Sequence, residues 1–390
     1  MTSSSAGRRP SGSESKPREL LQSDPALEQL ATALDGDTLL ALDTEAASFH
    51  RYETRICLLQ LSTRSRTAII DPLAISRLDP LAGYLVDPGV EVVFHDADFD
   101  LRLLDREYGI RINRIFDTRI AAQLLNEPGI GLAALLEKHL DVRLDKRFQR
   151  ADWSRRPLPQ EMLEYAATDT EYLPPLRDVM RNALERAGRL AWAEEEFHLL
   201  EEIRWVEPEP DGFWRLKGAR QLKGPAPAVL KELYEWRDAL ARQLDRAPFR
   251  VMNNEAMMAL AQSQPATIDK LQEIRGIGSE SVQRRGKDIL AAIERGLRTP
   301  ADRIPRLERV RGRAPDPAYF ERLDRLKAIR NEVAQRVNLA PGVLCPNGTL
   351  EAVARTAPAT REELRAVPGL RRWQDEVIGE EMLQGLRAED

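Results

Sequence analysis

The chain has 390 residues, 42% of them apolar and 31% charged, with a formal net charge of −5. At roughly 150 residues per domain that length suits two or three domains. The charge excludes a uniformly basic nucleic-acid coat but leaves room for a local basic patch. Two cysteines, Cys57 and Cys345, stand in different segments, which speaks against a disulfide framework or a cysteine zinc site and for a reducing compartment.

Residues 1–19 begin "MTSSSAGRRPSGSESKP". They lack the apolar core of a secretory signal and read as a disordered extension rich in Ser, Gly and Pro. No apolar run approaches the roughly 18 residues of a membrane span, so the expectation is a cytoplasmic protein without membrane association. Residues 20–205 then mix strands and helices. "TLLALDTE" (38–45), "ICLLQLST" (56–63), "TAIID" (67–71), "VEVVFHD" (90–96) and "RIFDT" (114–118) predict five strands. Short joins let the first three form an antiparallel meander, and helical stretches between the later ones favour parallel addition. The expected result is a mixed sheet with helices packed on it.

Three places in this half concentrate carboxylates. Asp43 and Glu45 are two apart on a strand and face one side. Such a pair repels unless a cation lies between, and hard divalent ions take oxygen ligands; the alternative is a solvated strand end. In "VEVVFHDADFDLRLL" the strand ends at Phe94 and the chain turns through His95 to Ala97. That puts Asp96 in the turn, Asp98 at the N-cap, and Asp100 on the inward face with Leu103 and Leu104. No Gly or distal Glu follows at the spacing of a calcium loop. In "EYAATDTEYL", Tyr165 and Asp169 share a helix face at i and i+4. An unpaired carboxylate there needs a partner if it is buried; the alternative is an exposed Asp beside a half-buried Tyr.

Just before that helix, "RLDKRFQRADWSRR" (143–156) carries Arg143, Lys146, Arg147, Arg150, Arg155 and Arg156 against Asp145 and Asp152. It is placed to guide a nucleic-acid strand, with Trp153 read as packing rather than stacking. From residue 225 onward helical periodicity takes over, and the segment repeats itself at an ungapped offset of 93: Arg237 with Arg330, Pro248 with Pro341, Asn254 with Asn347. We read two small helical domains, 225–298 and 318–390, with linkers at 206–224 and 299–317. Gly276 and Gly278 form a turn that either points backbone N–H groups at a phosphate or only ends a helix.

Taken together and in this order, "LDTEA", "HDADFDL" with "FDT", and "YAATD" resemble the DEDD family of 3′→5′ exonucleases in its tyrosine subtype. Glu164 stands where the other subtype has histidine. With "ADWSRRPL" and the tandem repeats, which resemble HRDC domains, the chain from about 20 to 390 is similar to the ribonuclease D family. The resemblance implies an α/β ribonuclease H-like exonuclease domain, a mixed sheet with helices, followed by two all-α HRDC-like domains. It implies two divalent metal ions, magnesium or manganese. Asp43 would bridge them, Glu45 and Asp169 would complete the first site, and Asp100 would support the second. Tyr165, with an ordinary pKa of about 10, would position the water as a hydroxyl. The implied substrate is RNA, tRNA precursors above all, cut to nucleoside 5′-monophosphates by a monomer. His95 and Phe49 lie beside these motifs as candidate contacts to terminal nucleotides. Lys146, Arg147, Arg150 and Arg156, with Gly276 and Gly278, are candidates for the rest of the strand. Two alternatives stand: a DNA 3′→5′ exonuclease, since the same carboxylates serve either polymer and no residue identifies a 2′-hydroxyl contact, or an RNA-binding protein without hydrolysis.

Overall fold

The computed structural model describes residues 18–145, 147–207, 212–307 and 317–387. Most of the expected N-terminal extension, parts of both linkers, and Lys146 lie outside them. The chain divides into two compact units, each assembled from separated stretches. One holds Met1–Glu45, Ile56–Trp205 and Arg311–Asp390; the other holds Ala46–Arg55 and Val206–Val310.

The first unit is built on six strands: β1 (Arg18–Leu21), β2 (Leu39–Ala46), β3 (Ile56–Ser62), β4 (Thr67–Ile70), β5 (Glu91–Phe94) and β6 (Ile115–Asp117), in the order β1-β4-β3-β2-β5-β6. β3 and β4 pair antiparallel, while β1 runs parallel to β4 and β5 parallel to both β2 and β6. This is the mixed sheet the sequence predicts, with one more edge strand. β1 buries only Leu21 fully, so its sequence carries no alternation to announce it. β3, β4 and β5 are buried at every position, which explains why they read as continuous apolar runs. Because β2, β5 and β6 point the same way, their carboxyl ends open on one edge, where α/β sheets characteristically hold ligands.

Two helices complete that edge. Asp98–Tyr108 follows β5 and ends on Gly109 at φ 64°, a left-handed cap. Gln160–Glu171 starts behind Pro159 and packs on β3 and β4, buries Met162, Ala166, Ala167 and Thr170, and bonds Thr170 Oγ1 to Ser62 Oγ at 2.8 Å. The loop before it is fastened by Arg156. Its guanidinium donates to both oxygens of buried Asp71, each at 2.6 Å, and to the carbonyls of Cys57 and Trp153.

The second helical copy belongs to this unit. Its helices Pro317–Arg336, Pro341–Leu344, Asn347–Thr356, Arg361–Arg365 and Arg372–Arg387 share one apolar cluster with Phe116, Leu176 and Phe197. It docks on helix Leu190–Glu201. Trp373 stacks on Trp192 at 4.9 Å, Glu195 accepts from the backbone N–H groups of Arg372 and Trp373, and Glu196 accepts from Trp373 Nε1 at 2.9 Å.

The second unit contains the first copy: Ala226–Gln243, Pro248–Val251, Asn254–Ser263, Ile268–Gln272 and Ser279–Leu297. The duplication reaches individual hydrogen bonds. Arg237 donates to Met252 O and Asn254 Oδ1, and Arg330 donates to Cys345 O and Asn347 Oδ1. Thr267 and Thr360 cap equivalent helices. This unit also holds the loop that follows β2: Tyr52 OH donates to Asp238 and accepts from Arg242, Arg51 pairs with Asp245 at 3.0 Å, and Phe49 packs edge-on to Phe249.

Candidate active site

β2 sends Leu40, Leu42 and Thr44 to one side and Asp43 and Glu45 to the other. Asp169 comes from one turn beyond Tyr165 on helix Gln160–Glu171. A carboxylate oxygen from each of Asp43, Glu45 and Asp169 lies within 4.8 Å of the other two. Asp100, in the first turn of Asp98–Tyr108, is buried as its phase requires. Its Oδ1 accepts from Thr44 N at 3.1 Å and from Thr44 Oγ1, which ties the helix to β2. The buried Thr44 thus holds the fourth acid against the strand that carries Asp43 and Glu45.

The neighbouring aspartates differ from the sequence expectation in one respect. Asp98 is not the N-cap; that position is Ala97, and Asp98 is the first helical residue, exposed and paired with Arg102 at 2.8 Å. The reason is Asp96, whose φ of 73° turns the chain abruptly. Asp117 completes the turn by accepting from Ala97 N at 2.8 Å. It also caps the next helix through Arg119 N and Ile120 N. Asp117 was missed as a structural residue, although Asp followed by Thr before an apolar helical run is an N-cap signature.

Burial governs the electrostatics. It pushes the Asp43 carboxyl up to about 8, with the Asp169 charge adding to it, and Asp169 up to about 7. Glu45 and Asp100 are likewise raised, by burial first and then by the Asp43 charge. Burial, then Asp169, Glu45 and Asp43, lift the Tyr165 phenol, so it keeps its proton throughout the neutral range. Among the described residues, no lysine or arginine pairs with any of the four acids. A set of hard oxygen donors with unbalanced negative charge fits a divalent cation such as magnesium or manganese.

Two clefts meet at Tyr165 and Asp169. One, of about 450 Å³, is lined by Asp43, Thr44, Glu45 and His95 as well. The other, of about 240 Å³, adds Arg18, Arg143, Arg147 and Phe148. Tyr165 is wedged between Phe148 and Trp153, with ring centroids 5.8 and 6.1 Å away. Trp153 is 1% exposed, a packing residue as read from the sequence. The basic stretch divides. Arg143 and Arg147 line the second cleft, paired with Glu137 and with Asp145 and Glu161. Arg150 is exposed and lines neither cleft. Arg156 corrects the expectation of a strand contact, because Asp71 and backbone carbonyls occupy its guanidinium. Arg18, paired with buried Glu171, reaches the second cleft from β1 and had no sequence signal.

Three candidates lie in the second unit. Phe49 packs on Phe249 there. Gly276 has φ 92°, and a Cβ would meet Asn253 and Ala256, so the turn requires glycine for its own sake. Gly278 is the N-cap of Ser279–Leu297, with open space around it.

Comparison with known proteins agrees with this geometry. Residues 19–185 match the family described as 3′-5′ exonuclease, and residues 226–293 and 320–386 each match the HRDC domain. Ribonuclease D of Granulibacter bethesdensis is 30% identical over 369 residues, which cover 93% of this chain and 91% of that protein. The crystal structure of Escherichia coli RNase D, an exoribonuclease involved in structured RNA processing, superposes with a TM-score of 0.72 at 26% identity, covering 95% of this chain and 98% of that one. The catalytic core of RRP6 from Trypanosoma brucei gives a TM-score of 0.62 at 29% identity over 72% of this chain and 80% of its own.

Proposed function

The chain belongs to the ribonuclease D family of 3′→5′ exonucleases, and from that premise we propose that it trims the 3′ ends of structured RNA precursors, tRNA among them, releasing nucleoside 5′-monophosphates. The observation that carries the reading is the convergence of Asp43, Glu45 and Asp169 within 4.8 Å, with Asp100 tethered to the same strand through Thr44. These are the residues that would hold divalent cations, Asp43, Glu45 and Asp169 directly and Asp100 beside them. When bound, two such ions stabilise the charge on the attacking and leaving oxygens of the phosphodiester.

The chain's own groups do the rest. Tyr165 stays protonated, so its hydroxyl orients the water by hydrogen bonding rather than removing its proton. Phe148 and Trp153 fix the ring in place. Arg143 and Arg147, on the wall of the second cleft, supply positive charge for the backbone of the incoming strand. RNA as the substrate is supported by the structured-RNA role of the Escherichia coli relative. Two free, buried cysteines fit action in the reducing cytoplasm.

The test is a matched assay on 3′-labelled single-stranded RNA, the same sequence as DNA, and a tRNA bearing a 3′ extension, each with magnesium and with EDTA. The expected outcome is stepwise, metal-dependent release of mononucleotides from both RNAs. Equal turnover of the DNA would identify a general exonuclease, and no release from any substrate would leave only nucleic-acid binding.

A further inference from the structure

His95 follows β5 directly and lines the same cleft as Asp43, Glu45, Tyr165 and Asp169. Its surroundings determine where its proton sits. Thr118 is fully buried, and its Oγ1 lies 2.9 Å from Phe94 O. A carbonyl oxygen only accepts, so the single hydroxyl proton of Thr118 is directed there. The same Oγ1 lies 2.9 Å from His95 Nδ1. With its proton already engaged, Oγ1 can only accept, and Nδ1 must be the donor. Burial and the nearby Arg119 charge hold the ring neutral, with its pKa lowered to about 4. Nε2 therefore carries a lone pair and no proton. Among the described residues it has no hydrogen-bond partner, and it is not one of the sealed-off buried atoms.

A bare acceptor in this cleft is selective. It cannot bind a phosphate oxygen, which is also an acceptor. On a nucleotide the donors are base N–H groups and ribose hydroxyls. Base donors change position with the base, whereas the hydroxyls are common to all four nucleotides. We propose that His95 is a specificity-determining residue whose Nε2 accepts a hydrogen bond from a ribose hydroxyl of the 3′-terminal nucleotide, with Thr118 positioning the ring and fixing its tautomer. The proposal rests on the exoribonuclease reading above.

The experiment uses the full chain with magnesium and three oligoribonucleotides of one sequence, ending in a ribonucleotide, a 2′-deoxynucleotide or a 3′-deoxynucleotide lacking the terminal hydroxyl. Loss of one neutral hydrogen bond predicts that wild type slows by about five- to tenfold in kcat/KM on one of the two deoxy ends. That end identifies the hydroxyl. His95→Ala should lose a similar factor on the ribonucleotide end and nothing more on that deoxy end. His95→Gln, whose Oε1 can replace the Nε2 acceptor, should recover part of the discrimination. Deoxy penalties of the same size in wild type and His95→Ala overturn the proposal. Should His95→Ala not fold, wild type alone decides: competition by ribo-, 2′-deoxy- and 3′-deoxynucleoside 5′-monophosphates that is equal for all three also overturns it. Absence of any metal-dependent RNA degradation by wild type would instead remove the exoribonuclease reading.

Discussion

Asp71 and Asp43 belong to the same unit, and both are withdrawn from solvent, yet their chemistry diverges. Asp71 receives Arg156 on both oxygens and Gln22 Nε2 at 3.1 Å, and although burial opposes it, these bonds hold its carboxyl below the usual range. Among the described residues, no cationic side chain pairs with Asp43, Glu45, Asp100 or Asp169, and all four lie above it. Burial penalises the charged form in both places; the difference is whether the fold supplies the counter-charge. The Asp71 cluster is finished by the chain itself, while the Asp43 cluster has no lysine or arginine partner among the described residues and suits a cation. Burial of a single acid thus does not mark a site, as Asp117 with its backbone donors also shows; several acids buried together without a protein counter-charge do.

The largest expected effect attacks the unfinished cluster. Asp43→Asn or Asp169→Asn should lower kcat by roughly a thousandfold or more, and Asp100→Asn should remove most of the activity. The thermal midpoint of the metal-free protein should hold or rise, because each substitution removes repulsion; a cooperative melt followed by circular dichroism checks this. Arg156→Ala attacks the finished cluster and should do the opposite. It leaves Asp71 buried without a partner, at a cost of about 3–5 kcal/mol in a denaturant titration, while kcat of the folded fraction stays near wild type. A loss of RNA affinity with unchanged stability would return Arg156 to the strand.

pH separates the two clusters next. A carboxylate whose folded pKa is raised binds more protons folded than unfolded, so stability falls as pH rises from the unfolded value near 4 to the folded value. For Asp43 and Asp169 that window closes at about 8 and about 7. Metal-free protein should therefore melt at a lower temperature at pH 8 than at pH 5, and magnesium at pH 8 should restore the difference. Asp71, with a lowered pKa, contributes in the other direction and loses its contribution only in acid. The smallest effect is expected at Asp98→Asn. Its ion pair with Arg102 is exposed, so stability should change by less than about 1 kcal/mol and activity not at all.

The clustering of the acids was legible because their spacing maps directly onto local geometry. Two residues apart on β2 and four apart on Gln160–Glu171 are same-face relations that need no tertiary knowledge. The helical duplication was legible for a similar reason, since an ungapped offset survives folding unchanged. Arg156 was not. A run of arginines looks the same whether its guanidiniums meet water, RNA or a carboxylate 85 residues away in the chain. Asp98 failed by one position because the left-handed turn at Asp96 shortens the entry to the helix. The partners of the two helical copies, the loop after β2 for one and helix Leu190–Glu201 for the other, depend on surfaces brought together over long separations and leave no local period.

Those separations bear on how the chain is made. Tyr52 leaves the ribosome 186 residues before Asp238, and Trp192 well before Trp373. Domains that complete early in synthesis fold first. Here the sheet appears first, yet its apolar cluster is closed only by the last helices, whereas the unit that captures the β2–β3 loop is complete before them. Nascent chains stalled near residue 310 should already protect Tyr52 from proteolysis while leaving helix Leu190–Glu201 open to attack. The sheet is translated first, yet its apolar cluster is completed last.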